Sequence, residues 1–257
     1  MRTLKLALIQ ARFDNRAFWR NPASAFFTFV FPLMFLFIFN LVFESKDIEV
    51  PGGKVDTSTF YVPGITALSV ISACYTNIAM GLVITRDSGV LKRIHGTPLP
   101  AVSFIGGRVL QATWAAILLI VIIVGSGVTL YGVELDISKV PALILTLVIG
   151  AGCFTALGLA MSALVPNQDA APAMVQASVL PLMFISNVFI PTSNAPGWLN
   201  DFASIFPIAR FAGALHAVFN PFDTGIGIEL GDLAVMLIWG VVGAAFAARY
   251  FAWEPRK

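Results

Sequence analysis

Residues 85–100 read TRDSGVLKRIHGTPLP and stand between two long runs without a charge, residues 57–85 and 109–133. Apolar runs longer than about 18 residues are long enough to cross the hydrocarbon core of a bilayer. A short basic segment between two of them is therefore a loop held against one membrane face. Asp87 is a candidate N-cap, Val90, Leu91 and Ile94 form an apolar ridge, and Gly96 before Pro98 is a stop signal. A compact helix tied at both ends passes displacement on, because neither end is slack. The same residues also suit an ordinary positively charged loop.

The rest of the chain extends this reading. Of 257 residues, 58% are hydrophobic and 12% charged, which lies well outside the composition of a soluble domain. Further charge-free runs cover 21–43, 140–168 and 170–200, and a weaker one at 233–248 continues through Tyr250, Phe251 and Trp253 around Arg249, whose long side chain reaches the interface. The predicted fold is an all-α integral membrane protein, one unit over residues 1–257. Its six transmembrane helices are placed at 21–43, 60–85, 109–131, 141–165, 170–190 and 231–252. No cleavable signal peptide is evident, since Arg2, Lys5, Arg12, Arg16 and Arg20 precede the first run. Cys74 and Cys153 fall inside spans and read as small buried apolar residues.

Charge sets the orientation. With the N-terminus inside, Arg86, Lys92, Arg93, Arg108, Arg249, Arg256 and Lys257 join the N-terminal basic residues on the cytoplasmic side, and only Lys46, Lys54, Lys139 and Arg210 fall outside. That is the positive-inside pattern, with both termini cytoplasmic in a multi-pass cell-membrane protein. The net charge of +2 is then a signal of topology and implies no nucleic-acid partner.

Two segments read as interfacial. In residues 2–20 the five basic residues fall within an arc of about 80° on a helical wheel. Leu4, Ala7, Leu8, Ala11 and Phe18 lie opposite, as in a helix resting in the headgroup layer. Leu6, Ile9 and Phe13 spoil the pattern, and a merely basic tail is the alternative. Residues 191–219, interrupted by Pro207, Arg210 and His216 and anchored by Trp198, read as short outer interfacial helices, with a seventh span as the alternative. Gly150, Gly152, Gly158 and Ala160 give the fourth span a small-residue face for close packing.

Signs of catalysis are mostly absent. His95 and His216 have no carboxylate or cysteine at metal-ligand spacing, and Gly52-Gly53-Lys54 lacks the spacing and hydroxyl of a phosphate loop. The deep parts of the spans lack the acid or base of an ion relay, which argues against an ion-coupled carrier. A membrane scaffold without transport activity has no need of the short rigid loop.

From Tyr61-Val62-Pro63-Gly64 through Arg86-Asp87-Ser88-Gly89-Val90-Leu91-Lys92-Arg93 to Thr97-Pro98-Leu99, the sequence resembles the ABC-2 type permease family. A second block, Phe189-Ile190-Pro191, Pro196-Gly197-Trp198-Leu199, Pro207 and Arg210, matches the same family. Asp87 stands where that family usually has Glu, Val90 where it often has Thr, and Lys92 where Glu is common. Length and small outer loops are similar to the daunorubicin-resistance type of drug exporter, and polysaccharide and glycolipid exporters share the frame.

The resemblance implies the membrane subunit of an ATP-binding cassette exporter. Such a subunit works with a second permease chain, identical or closely related, and two separate ATPase subunits that carry the MgATP; this chain itself holds no cofactor, metal or catalytic residue. Arg86, Asp87, Gly89, Leu91, Arg93, Thr97 and Pro98, within a coupling helix at 86–97, would engage the ATPase. Residues 2–20 would be the connecting helix beside it, and 191–219 would cap the pathway. Thr76, Asn77, Gln176, Ser178, Ser186 and Asn187 are candidates to line that pathway, with hydrogen bonding between helices as the alternative role. The expected substrate is amphipathic, drug-like or lipid-like.

Overall fold

The computed structural model describes residues 2–43, 47–50, 52–97, 99–192 and 195–251. Expectations placed on Lys46, Pro98, Trp253, Arg256 and Lys257 lie outside them. Helix α1 (Arg2–Trp19) stops before Asn21-Pro22. Pro22 opens α2 (Pro22–Ala25), which runs through a π-helical turn, Phe26–Val30, into α3 (Phe31–Val42) without leaving helical backbone. The wide turn sits directly before Pro32, whose ring removes a donor and crowds the preceding turn.

A hairpin follows, β1 (Asp47–Val50) paired antiparallel to β2 (Gly53–Asp56), with Ile48 opposite Val55. This is an addition to the expected all-helical plan. Gly52 turns with φ 99°, a conformation open to glycine, and a Cβ there would lie 2.7 Å from Phe222. Next come α4 (Thr57–Ile71), a second π-helical turn Ser72–Thr76, and α5 (Asn77–Asp87), which form one continuous helical stretch. Then follow α6 (Val90–His95), α7 (Ala101–Tyr131), a 3-10 turn Ile137–Lys139, α8 (Val140–Leu164) and α9 (Ala171–Ile185). The described chain ends with α10 (Gly197–Ser204), α11 (Pro207–Phe219) and α12 (Leu230–Tyr250).

Among the described residues four helical stretches are long and apolar enough to cross a membrane: Thr57–Asp87, Val102–Tyr131, Ile137–Leu164 and Leu230–Tyr250. The first and fifth expected spans are met by the shorter apolar helices Phe26–Val42 and Ala171–Ile185. At 1.5 Å per residue α9 reaches about 22 Å, short of a core about 30 Å thick. The expected span 170–190 ends early because Asn187 takes φ 59° and turns the chain, with its Oδ1 accepting from the Thr192 N–H at 3.0 Å. Helices α10 and α11 meet at 101°, and counting them as one bent span raises the number of span-capable elements to five.

The α4–α5 stretch is the axis of the bundle: 67% of the residues in its most apolar 18-residue segment are buried, against 22% for α12. A helix that is apolar on all sides belongs inside its neighbours. α8 packs on three sides through small residues. A Cβ on Gly158 would lie 2.8 Å from the Tyr75 carbonyl oxygen and one on Gly150 2.3 Å from the Phe211 ring. On the third side Gly240 and Gly243 of α12 lie against Cys153 and Ala156. Without water to expel between helices, association in lipid rests on this close van der Waals fit. Cys74 and Cys153 are buried in that packing and are not joined in a disulfide.

Helix α1 lies along the start of α7. The Ser103 Oγ donates to the Thr3 carbonyl at 3.1 Å, Ala7 is buried, and a Cβ on Gly107 would strike Gln10 at 2.6 Å. Part of the face expected to enter lipid is thus spent on protein: Ala7 meets Gly106, and Phe18 packs edge-on to Phe29. Leu4, Leu8, Ile9 and Phe13 stay exposed.

Candidate functional site

At the α6 end of the bundle, α5 continues through Asp87 and breaks only at Ser88-Gly89. Gly89 adopts φ 74° with nothing within 4 Å of where a Cβ would sit, so its backbone angle, and not crowding, calls for glycine. The helix expected at 86–97 is therefore shorter, and Asp87 is no N-cap, because α6 starts after Gly89. Leu91 is fully buried with Ile78, Leu82, Phe104 and Ala112, and Ile94 and Leu99 pack beside it. Val90, Lys92, Arg93, Gly96 and Thr97 are exposed. The end of α6 is tied by the Thr97 Oγ1, which donates to the Ile94 carbonyl at 2.7 Å and accepts from the Leu99 N–H at 3.3 Å.

Arg86 departs most from its expected place. Its side chain is 3% exposed. The Nη1 donates to the Ser162 carbonyl at 3.0 Å, and Nη2 to the carbonyls of Val165 and Pro166 at 2.8 and 3.0 Å. Nε pairs with Asp87 Oδ1 at 3.2 Å, and Asp87 Oδ2 accepts the Gln168 N–H at 2.6 Å. These acceptors are the last turn of α8 and the turn leading to α9. Carbonyls at a helix end lack partners within the helix and carry the negative pole of its dipole, so a buried guanidinium is well matched there. Arg86 is consequently turned inward and is not part of the outer surface around α6.

A second polar group joins α1, α5 and α7. Arg108 Nη2 donates to the Thr85 Oγ1 at 2.7 Å, that hydroxyl is bonded to the Gly81 carbonyl, and the guanidinium lies 5.4 Å from the centre of the Phe104 ring. Across from it, Gln10 Nε2 donates to Asp14 Oδ1 at 3.0 Å. Burial pushes the Asp14 carboxyl up from its ordinary value, against the pull of Arg108 and the Gln10 bond. Asp14 Oδ2, Arg108 Nε and Gln111 Nε2 are buried without partners among the described residues.

The other prominent feature is an aromatic cleft of ≈ 680 Å³ between α3, the α4–α5 stretch and α9. Phe31, Phe35, Phe39 and Phe43, four residues apart and so on one helix face, form one wall; successive centroids are 4.8, 5.4 and 6.2 Å apart. Tyr61 stacks on Phe39 at 4.7 Å, and Phe184 and Phe189 close the far side. Thr76 and Gln176 line this cleft, joined by Ser72 from the π-helical turn. Among the described lining residues none is charged.

The remaining pathway candidates lie elsewhere. Asn77 is half-buried outside the lining, and Ser178 is bonded to the Tyr75 hydroxyl at 2.6 Å. Ser186 is buried, with its Oγ unpartnered among the described residues. Asn187 is committed to its turn, its carbonyl bonded to His216 Nε2 at 2.9 Å.

The sequence reading passed over three features. The phenylalanine stripe was legible in its spacing of four. Asp14, Thr85 and Arg108 meet only in three dimensions. Lys139, placed outside as a topology charge, is buried, and its Nζ clamps the Asn220 and Asp223 carbonyls at 2.9 and 2.7 Å.

Comparison with known proteins bears on this arrangement. Residues 6–220 match the family model described as ABC-2 type transporter. A daunorubicin resistance ABC transporter permease, DrrB1 of Streptomyces coeruleorubidus, is 26% identical over 226 residues, covering 82% of this chain and 75% of the relative. A protein named as a doxorubicin resistance ABC transporter permease, DrrC of Mycobacterium tuberculosis, is 25% identical over 218 residues, 82% and 73% of the two chains. A transport permease named ycf38 from Porphyra purpurea is 23% identical over 250 residues, 93% and 85% of the two chains. The chain belongs to the ABC-2 type transporter family.

Proposed function

We propose that this chain is the permease subunit of an ATP-binding cassette exporter, moving an amphipathic drug-like or lipid-like molecule out of the cell with ATP hydrolysed on a separate partner chain. The observation that carries the substrate class is the aromatic cleft, whose described walls offer phenylalanines, the neutral polar side chains of Tyr61, Ser72, Thr76 and Gln176, and no charge. A polysaccharide presents hydroxyls in every direction and would find few partners there. In this reading six segments cross the membrane, with α3 and α9 as the short first and fifth. α1 rests at the cytoplasmic interface, α10 and α11 at the outer one, and both termini are cytoplasmic. α6 is the coupling helix: Leu91 roots it in the bundle while Lys92 and Arg93 face outward toward an ATPase. The working unit pairs two permease chains with two ATPase subunits holding MgATP.

The test is purification of the tagged chain from its native membrane in mild detergent, followed by mass spectrometry. A stoichiometric companion with a phosphate-binding loop, and ATP-dependent uptake of doxorubicin into inverted vesicles, are expected. Recovery of this chain alone, under conditions that preserve comparable complexes, would overturn the reading. For orientation, a cysteine replacing Asp56 should react with an impermeant thiol reagent from outside and one replacing Ser88 should not.

A further inference from the structure

We infer that Arg86 and Asp87 form an internal latch that hands displacement of α6 to the junction of α8 and α9, as positioning residues and not as ATPase contacts. The inference rests on the permease reading and adds the route by which motion leaves α6. Five hydrogen bonds run from this dipeptide to Asp87 itself and the stretch 162–168, and all but one cross to another helix or turn. The guanidinium is a flat, stiff fork, so bonds to three carbonyls at once fix its position and its angle. Asp87 adds a bond from the far end of the same turn, so the latch grips both α8's last turn and the residues that open α9. Its bonds are charge-assisted; those to the Ser162 and Val165 carbonyls are buried, where such bonds hold most firmly, and the one from Gln168 to Asp87 lies at the exposed rim.

The surroundings give the latch a direction. On one side, Gly89 is the joint that turns the chain into α6, and Leu91 seats α6 against Ile78 and Leu82 of α5. A push on α6 therefore reaches the end of α5 through packing. On the other side, residues 165–170 form a tight connection, with the Ala170 N–H bonded to Asn167 Oδ1 at 2.9 Å and the Val165 N–H to the Met161 carbonyl at 3.1 Å. α9 carries Gln176, Val179, Met183 and Phe184 into the aromatic cleft. Motion delivered at Gln168 is thus motion of one cleft wall. Without the latch, the end of α5 next to α6 meets α9 through side-chain packing, which tolerates sliding, and the Tyr75–Ser178 bond lies about three helical turns away along the same stretch.

The experiment uses the assembled complex of this chain with its ATPase, spin-labelled at a cysteine replacing Ser88 or one replacing Asp169, both exposed. Distances between the two permease copies are measured with and without a non-hydrolysable ATP analogue. In the otherwise unaltered chain both pairs should shift. In Arg86→Gln the Ser88 pair should still shift while the Asp169 shift is lost, with ATP hydrolysis kept within about twofold and doxorubicin uptake down about tenfold or more, the scale of losing several bonds to a charged group. Arg86→Lys, with a single nitrogen for three carbonyls, should recover only part of the Asp169 shift. Equal shifts in the unaltered chain and Arg86→Gln overturn the latch and leave the permease reading intact. No shift at Ser88 in the unaltered complex overturns both. Should Arg86→Gln fail to assemble, Asp87→Asn keeps the three carbonyl bonds and weakens the hold on Gln168. An Asp169 shift of full size in that variant overturns the latch.

Discussion

The α6 end and the aromatic cleft hold together by opposite means. Around Arg86 the polar contacts are directional, with donor–acceptor distances of 2.6 to 3.0 Å to the stretch 162–168. In the cleft the rings of Phe35, Phe39, Tyr61 and Phe189 touch at angles from 27° to 67°, no described hydrogen bond joins their side chains, and one at the edge, from Thr57 Oγ1 to the Phe43 carbonyl at 2.8 Å, ties α3 to α4. Directional bonds transmit position and resist sliding. Stacked and tilted rings tolerate displacement at small cost per contact, about 0.5–1.5 kcal/mol a pair beyond the area they bury. In the proposed permease, transmitting force at one end and admitting molecules of varied shape at the other would call for these two different chemistries.

α8 joins the two regions, and breaking it has the largest expected effect. Gly158 lies under the π-helical turn Ser72–Thr76, where a Cβ would come within 2.8 and 3.0 Å of the backbone oxygens of Tyr75 and Cys74. Backbone cannot rotate aside as a side chain can. Gly158→Leu should cost about 3 kcal/mol or more and abolish the monodisperse peak in detergent chromatography. Gly152→Leu, with open space at its Cβ, is the control and should elute normally. A well-folded Gly158→Leu protein would separate α8 from both regions.

The joint at Gly89 comes next. Proline cannot adopt φ 74°, so Gly89→Pro combined with Arg93→Glu should misdirect α6 and reverse a charge on its exposed side, while Leu91 keeps its seat. Doxorubicin uptake is expected to fall at least about tenfold with chromatographic behaviour unchanged, because neither residue is buried in the bundle core. Normal uptake by this double variant would remove α6 from the mechanism. Phe39→Ala acts differently: it removes a stacked ring from the cleft wall and should raise the KM for doxorubicin about five- to tenfold with little change in maximal rate. An equal fall in maximal rate and kcat/KM would make the cleft part of the moving machinery and dissolve the contrast between the two regions.

How much of this was readable in the chain follows from the distance over which each feature is built. The apolar runs and the stop at Gly96 are local matters of period and composition, and they were legible; Leu91, expected to engage the ATPase, is instead buried against α5 and α7. Asp87 was misread as an N-cap because its partner, the Gln168 N–H, lies 81 residues away. Arg86 read as a surface charge for the same reason, since the carbonyls that neutralise it belong to a turn with no side-chain signature. The early end of α9 depends on Asn187 turning left-handed, which a run of apolar residues conceals. The stripe at Phe31, Phe35, Phe39 and Phe43 was visible in spacing, yet a membrane span rich in phenylalanine looks alike whether the rings face lipid or a cleft.

The smallest expected effect lies at the seam between the cleft and the helices behind it. The Tyr75 hydroxyl and Ser178 Oγ are 2.6 Å apart and tie the π-helical turn to α9. Ser178 Oγ also donates to the Val175 carbonyl at 2.7 Å, so its one proton is spent and Tyr75 must be the donor between them. Tyr75→Phe therefore strands no donor on either side, and the serine keeps its own bond. Side-chain hydrogen bonds between membrane helices average about 0.6 kcal/mol, which for a protein of this size amounts to about 1–2 °C in melting temperature. A thermal shift in detergent of that size, with uptake unchanged, is expected. A loss of uptake without a larger thermal shift would mean that α9 is steered from the turn at Tyr75 as well as from Arg86, and the two regions would then share a directional bond.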